Sequence, residues 1–119
     1  MEKAEWKKRI IKCCQDAGTY EDFYLDVIDT LAQIMENRDK THEQYVESGS
    51  LPTIIHTNKA KEKNTVKNPT LVMEMELNAQ ALSYWRDLGL TPSGLKKLNA
   101  DAIKDKGVGS FEKLLERIT

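Results

Sequence analysis

Between Lys3 and Cys14 the apolar positions Trp6, Ile10, Cys13 and Cys14 recur at three- and four-residue intervals with lysine and arginine between them. That spacing predicts a short amphipathic helix closed by Gly18. Thr19 then reads as the cap of a second helix, with Glu21 and Asp22 in a first turn where the helix dipole favours negative charge. Tyr20, Tyr24, Val27, Leu31, Ile34 and Arg38 follow at four- and three-residue steps, and Phe23, Ile28 and Met35 widen the stripe. One helix from Tyr20 to Glu47 is expected, roughly 40 Å long. A helix of that length in a chain of 119 residues needs partners, from an antiparallel neighbour or from other subunits.

The pattern changes at Gly49. Gly49 and Pro52 break helix, and Thr53, Ile54, Ile55 and Thr57 favour an extended backbone. A basic turn from Asn58 to Asn64 separates two short extended pieces, which predicts a small β-ribbon or an ordered loop. Asn68-Pro69 marks a new helix, an N-cap followed by proline at the first helical position. Leu71, Met75, Leu82, Trp85 and Leu88 form its stripe, with Val72, Ala79 and Ala81 beside it and Gly89 as its stop. Thr91-Pro92 starts a further helix over Ser93 to Asp105, and Lys106 to Gly109 is a hinge. In the last segment Phe111, Leu114, Leu115 and Ile118 share one face of a terminal amphipathic helix.

These elements describe a mainly α protein. Its centre is a long antiparallel helical hairpin, Tyr20 to Glu47 against Pro69 to Leu88, with short flanking helices and a small basic β-ribbon or loop between the long ones. Residues 1–106 are expected to form a helical oligomerisation domain, and 107–119 a C-terminal amphipathic tail. The length suits a single domain.

Charge changes the picture through its distribution. The 18 Lys and Arg nearly balance 19 Asp and Glu, yet the two signs are segregated. Lys3, Lys7, Lys8, Arg9 and Lys12 make the first helix basic. The long helix is strongly acidic, and Lys59, Lys61, Lys63 and Lys67 make the ribbon basic again. Flexible cations among small polar residues such as Thr57, Asn58, Asn64 and Thr65 suit phosphate contacts. A solvated loop is the competing reading of the same run.

Enzyme signatures are lacking: there is no glycine-rich phosphate loop, no HExxH and no nucleophile elbow. Asp22, Asp26 and Asp29 have the helical spacing of paired carboxylates, but a solvated acidic face is the commoner meaning, and neither metal nor cofactor is expected. The adjacent Cys13 and Cys14 suit neither a disulfide framework nor a zinc site and read as structural thiols in a reducing compartment. His42 and His56 are read as local hydrogen-bonding or water-facing residues. No apolar run approaches the roughly 20 residues of a membrane span, and the N-terminus lacks the apolar stretch of a secretory signal. A soluble intracellular protein is expected.

Asn78 to Leu98 has a helix, a glycine-containing turn and a helix, as in a helix-turn-helix reader, but the second helix offers only Lys96, Lys97 and Asn99 as polar candidates. The run Arg86-Asp87-Leu88-Gly89-Leu90-Thr91-Pro92-Ser93-Gly94-Leu95-Lys96-Lys97-Leu98 resembles the LGLTP motif of the small terminase subunits of tailed double-stranded DNA phages. The proline-started helix before it, Tyr84, the Tyr20 to Met35 helix and the Thr57-Asn58-Lys59 stretch are also similar to that family. The resemblance implies a non-enzymatic DNA-packaging factor in the cytoplasm of the bacterial host. Such a factor assembles into a homo-oligomeric ring, binds double-stranded viral DNA and regulates the large terminase subunit, which holds the ATPase and nuclease. One departure is that Gly94 and Leu95 stand where many relatives carry polar or basic residues.

On this reading Lys3, Lys7, Lys8, Arg9, Lys12, Lys59, Lys61, Lys63 and Lys67 contact DNA phosphates, and Phe111, Leu114, Leu115 and Ile118 dock the large subunit. The alternative is a small dimeric transcriptional regulator or interaction module using Thr91 to Asn99 as its recognition helix. A hydrolase built on the Asp cluster is a third class.

Overall fold

A computed structural model of the 119-residue chain describes residues 1–106, with side chains through Asp101. The order is α1 (Lys3–Ala17), a single 3-10 turn (Asp22–Tyr24), α2 (Leu25–Glu47), β1 (Thr53–Thr57), β2 (Lys63–Lys67), α3 (Pro69–Asp87) and α4 (Pro92–Lys106). The protein is mainly helical with one two-stranded antiparallel sheet, and its extents are 71 × 26 × 22 Å. The tail residues Phe111, Leu114, Leu115 and Ile118 lie outside the described residues.

Both Gly18 and Gly89 close a helix in the left-handed conformation, at φ 73° and 72°. At each, the glycine N–H and the next N–H return to carbonyls of the last turn, Gln15 and Cys14 after α1 and Arg86 and Trp85 after α3. Thr19 belongs to the first of these ends. Its hydroxyl donates to the Cys14 carbonyl at 3.5 Å, so it completes α1 and does not cap the next helix. The long helix accordingly begins later than its apolar period suggests: Glu21 is extended, Asp22–Tyr24 is a 3-10 turn, and the α-helix starts at Leu25. Phe23, expected on the buried stripe, is 74% exposed.

The core is assembled on α2. Ile28, Leu31, Ala32, Ile34 and Met35 meet Trp6, Ile10 and Cys14 of α1 on one side and Ala81 and Leu88 from α3 and its end on the other. Burial raises the pKa of the Cys14 thiol, the opposite of an activated thiolate. Polar contacts fix α1 along α2. The Trp6 indole donates to Asp39 Oδ2 at 2.7 Å, the Met1 ammonium reaches the same oxygen at 3.2 Å, and the Lys3 N–H donates to Glu36 Oε2 at 2.6 Å. Glu36 thus satisfies a first-turn donor that Glu2 leaves uncapped.

These contacts make the docking of α1 acid-sensitive. The Lys3 side chain holds Asp29 below the usual carboxylate range, and the Lys3 N–H does the same for Glu36. At Asp39 burial acts to raise the pKa, but the hydrogen bonds from Trp6 and the N-terminus and the Arg38 charge leave it lowered. Folded-state values below the unfolded ones add stability that is complete above the ordinary carboxylate pKa and is lost as pH falls through the lowered values. In a Trp85→Phe background, Trp6 fluorescence should hold steady from neutrality to about pH 5 and move toward that of exposed indole below about pH 4. A flat profile through that range would remove these carboxylates from the docking.

The stripe expected on α3 is only partly the buried one. Ala81 and Leu88 are buried and Leu77, Tyr84 and Trp85 pack against the core, but Met75 is 63% and Leu82 48% exposed, as is Met73 at 54%. α3 is amphipathic over a wide arc: Glu76, Gln80, Ser83 and Asp87 form one exposed polar stripe, α2 covers part of the apolar remainder, and Met75 and Leu82 lie on the part it leaves open. Two contacts align the pair: Asn68 Nδ2 donates to Ser48 Oγ at 3.2 Å, and His42 Nδ1 lies 2.9 Å from Glu74 Oε1.

Asn68, 3% exposed, ties the ribbon to both helices. Its side-chain oxygen accepts from the Thr70 N–H at 3.1 Å as the α3 cap, with Pro69 at the first helical position. Its Nδ2 also donates to the Leu51 carbonyl at 2.9 Å, and its N–H to the Pro52 carbonyl. Losing the cap and leaving Leu51 short of a donor should make Asn68→Ala cost about 2 kcal/mol in a thermal melt. Asn68→Ser, which keeps a capping oxygen, should recover about half of that.

Candidate nucleic-acid interface

The ribbon's register pairs Thr53 with Lys67, Ile54 with Val66, Ile55 with Thr65, His56 with Asn64 and Thr57 with Lys63. Side chains alternate across a strand and paired residues share a face. Thr53, Ile55, Thr57, Lys63, Thr65 and Lys67 therefore lie on one face, and Ile54, His56, Asn64 and Val66 on the other. All six residues of the first face are exposed, while Ile54 and Val66 are half-buried.

The tip is a three-residue connection, Lys59-Ala60-Lys61, closed by the Asn58 N–H on the Glu62 carbonyl. Asn58 Oδ1 accepts from the N–H groups of Ala60 at 3.0 Å and Glu62 at 2.9 Å, which orders the loop from within. Lys61 sits at φ 62°, the left-handed position where glycine is the low-cost choice. A lysine there stands against a backbone preference of about 1 kcal/mol. Lys59, Lys61, Lys63 and Lys67 are all exposed.

The α1 cations divide into two groups. Lys3 Nζ is 3.0 Å and Lys7 Nζ 3.4 Å from the carboxylate of Asp29, so both are held against α2. Lys8, Arg9 and Lys12 are exposed, and no carboxylate pairs with them among the described residues. The Arg9 guanidinium lies 5.4 Å from the Trp6 ring centroid, a cation–π distance. The two basic groups are not brought together within the chain. α1 lies along the part of α2 that holds Asp29, Glu36 and Asp39, whereas the ribbon extends beyond Glu47.

Sequence reasoning named the cations but not the groups that sort them. Asp29, in the sequence one of a carboxylate cluster on an acidic face, fixes Lys3 and Lys7. Ile55, a strand former by its sequence, stands 70% exposed on the lysine-bearing face. The signal for that face was the two-residue alternation, which needs the register before it can be used.

The remaining candidates resolve differently. Among the described residues no group of three or more His, Cys, Asp or Glu is placed to hold a metal ion, and no helix is long and apolar enough to cross a membrane. At the LGLTP turn, Thr91 caps α4 by accepting from the Gly94 N–H at 3.0 Å. Gly94 is buried, and a Cβ on it would collide with the Arg86 carbonyl oxygen and the Thr91 hydroxyl. A Cβ on Gly89 would meet Leu98 Cδ1 at 2.7 Å and Thr19 Cγ2 at 2.9 Å. The turn is thus a close-packed junction of α3, α4 and the end of α1, and the departure at Gly94 is a packing requirement.

No curated protein and no solved structure matches the chain. A family model described as phage terminase, small subunit, matches residues 3–105, which takes in every element from α1 into α4. The chain belongs to the phage terminase small-subunit family.

Proposed function

We propose that this protein is a non-enzymatic DNA-packaging factor that binds double-stranded viral DNA and regulates the large terminase subunit in the host cytoplasm. It does so as a homo-oligomer, a ring in which the antiparallel hairpin of α2 and α3 packs between subunits. The observation that carries the oligomer is the apolar surface of α3, with Met73, Met75 and Leu82 exposed. Met75 and Leu82 share one side of α3 away from α2, and exposed apolar side chains in that position suit packing against a neighbouring copy. Repetition of the subunit would multiply a modest set of cations into one continuous surface.

Support for DNA as the ligand comes from the ribbon, which carries four exposed lysines against the single acid Glu62. From α1, Lys8, Arg9 and Lys12 are the candidates for phosphate contact, and Lys3 and Lys7 serve mainly to hold α1 in place. The tail residues Phe111, Leu114, Leu115 and Ile118 are assigned to docking the large subunit. Fluorescence anisotropy with duplex DNA tests the reading: binding should be tight at low salt and weaken steeply as salt rises. Absence of binding at low salt would contradict it.

A further inference from the structure

The ribbon carries more than charge. All its substantial packing is strand on strand, so it stands out from the helices with its Thr53-Ile55-Thr57 face uncovered. On that face the cations Lys67 and Lys63 sit opposite Thr53 and Thr57, while the centre is Ile55 opposite Thr65. An isoleucine exposed at 70%, flanked by threonines and framed by lysines, is an odd arrangement for a phosphate patch, where apolar surface has no role.

It is a fitting arrangement for a groove. Two strands about 4.8 Å apart, with their side chains, match a major groove about 12 Å wide. That groove displays thymine methyl groups to apolar side chains and hydrogen-bonding edges to hydroxyls, with phosphates along both rims. We infer that this face of the ribbon enters the major groove of duplex DNA. Ile55, with Thr65 opposite, contacts thymine methyl groups there, and Lys63 and Lys67 hold the bordering phosphates. The inference rests on the DNA-binding reading above and adds to it a source of sequence preference.

The test is a selection of duplexes from a random-core library by the full chain, followed by anisotropy on the enriched duplex and on the same duplex with uracil in place of thymine. Uracil removes the methyl groups and leaves charge and pairing intact. The wild type should lose about fourfold in affinity per contacted methyl group. Ile55→Ala should bind both duplexes equally, with the salt dependence of the wild type, and Ile55→Val should keep most of the preference. Lys63→Ala and Lys67→Ala should weaken both duplexes alike, each lowering the salt slope by about 1.

A wild type that enriches no sequence and ignores the thymine methyls would overturn the groove contact while leaving a phosphate-binding factor. A fall in assembly mass on Ile55→Ala would overturn it in favour of a contact between subunits. Failure to bind any duplex at low salt would remove the DNA-binding reading itself, and this inference with it.

Discussion

Replacing Gly94 by alanine should destabilise the protein by about 3 kcal/mol, roughly a hundredfold in the ratio of folded to unfolded molecules. The added methyl has nowhere to go. Its neighbours are the Arg86 carbonyl oxygen, which is backbone at the end of α3, and the Thr91 hydroxyl that caps α4. Neither can swing away as the end of a flexible side chain would. Opening the turn would also disturb the close packing beside Gly89, where even a Cβ would collide with Leu98 and Thr19. Alanine's better helix propensity offsets less than about 1 kcal/mol of this. The melting temperature should fall by about 10 °C or more. Ser93→Ala, at an exposed neighbouring position, should change stability by less than about 0.5 kcal/mol. A Gly94→Ala protein melting within about 2 °C of the wild type would show that α4 does not pack on α3 in this way.

Removing the ribbon's charge should have the largest effect on function. With Lys59, Lys61, Lys63 and Lys67 all changed to alanine, four phosphate contacts per engaged ribbon are lost. The slope of log affinity against log salt should then shrink by about 3.6, and affinity at 0.1 M salt should fall by roughly three decades. All four side chains are exposed, so the fold should be little affected. Lys61→Gly separates charge from conformation. It relieves the left-handed backbone, stabilising the tip by up to about 1 kcal/mol, while still removing about one unit of salt slope. Unchanged affinity and slope in the quadruple variant would take the ribbon out of the DNA contact and leave Lys8, Arg9 and Lys12 to account for any binding.

Helix boundaries were legible where a single residue decides the backbone. Gly18 and Gly89 stop helices because the left-handed turn suits them, and Asn68-Pro69 and Thr91-Pro92 start helices through a capping oxygen and a preset φ. The buried face of α1 was legible for a different reason: Trp6, Ile10 and Cys14 repeat at four-residue steps among charged residues, with Ile11 and Cys13 at the edge of the same face, so one orientation buries them. The same logic fails on α3. Its apolar residues spread over an arc wider than one partner can cover, and periodicity does not say that Ala81 and Leu88 turn toward α2 while Met75 and Leu82 face outward.

The late start of α2 was hidden because Tyr20 and Tyr24 continue the apolar period through a segment whose backbone is set by the end of α1. At the candidate site, the positions of the lysines were visible, but their partners depend on tertiary contacts. Asp29 lies 22 residues beyond Lys7, a separation no local rule connects. The cross-strand neighbours of Lys63 and Lys67 likewise needed the register of the ribbon.

In the proposed assembly the exposed Met75 and Leu82 of α3 are shared between copies of the chain. Native mass spectrometry of the purified protein at low micromolar concentration reads that sharing as mass. The spectrum should show a closed assembly several times the 13.6 kDa of one chain, falling to smaller species when Met75 and Leu82 are both changed to glutamate. A stable monomer, or a dimer that persists through dilution and through those substitutions, would contradict it.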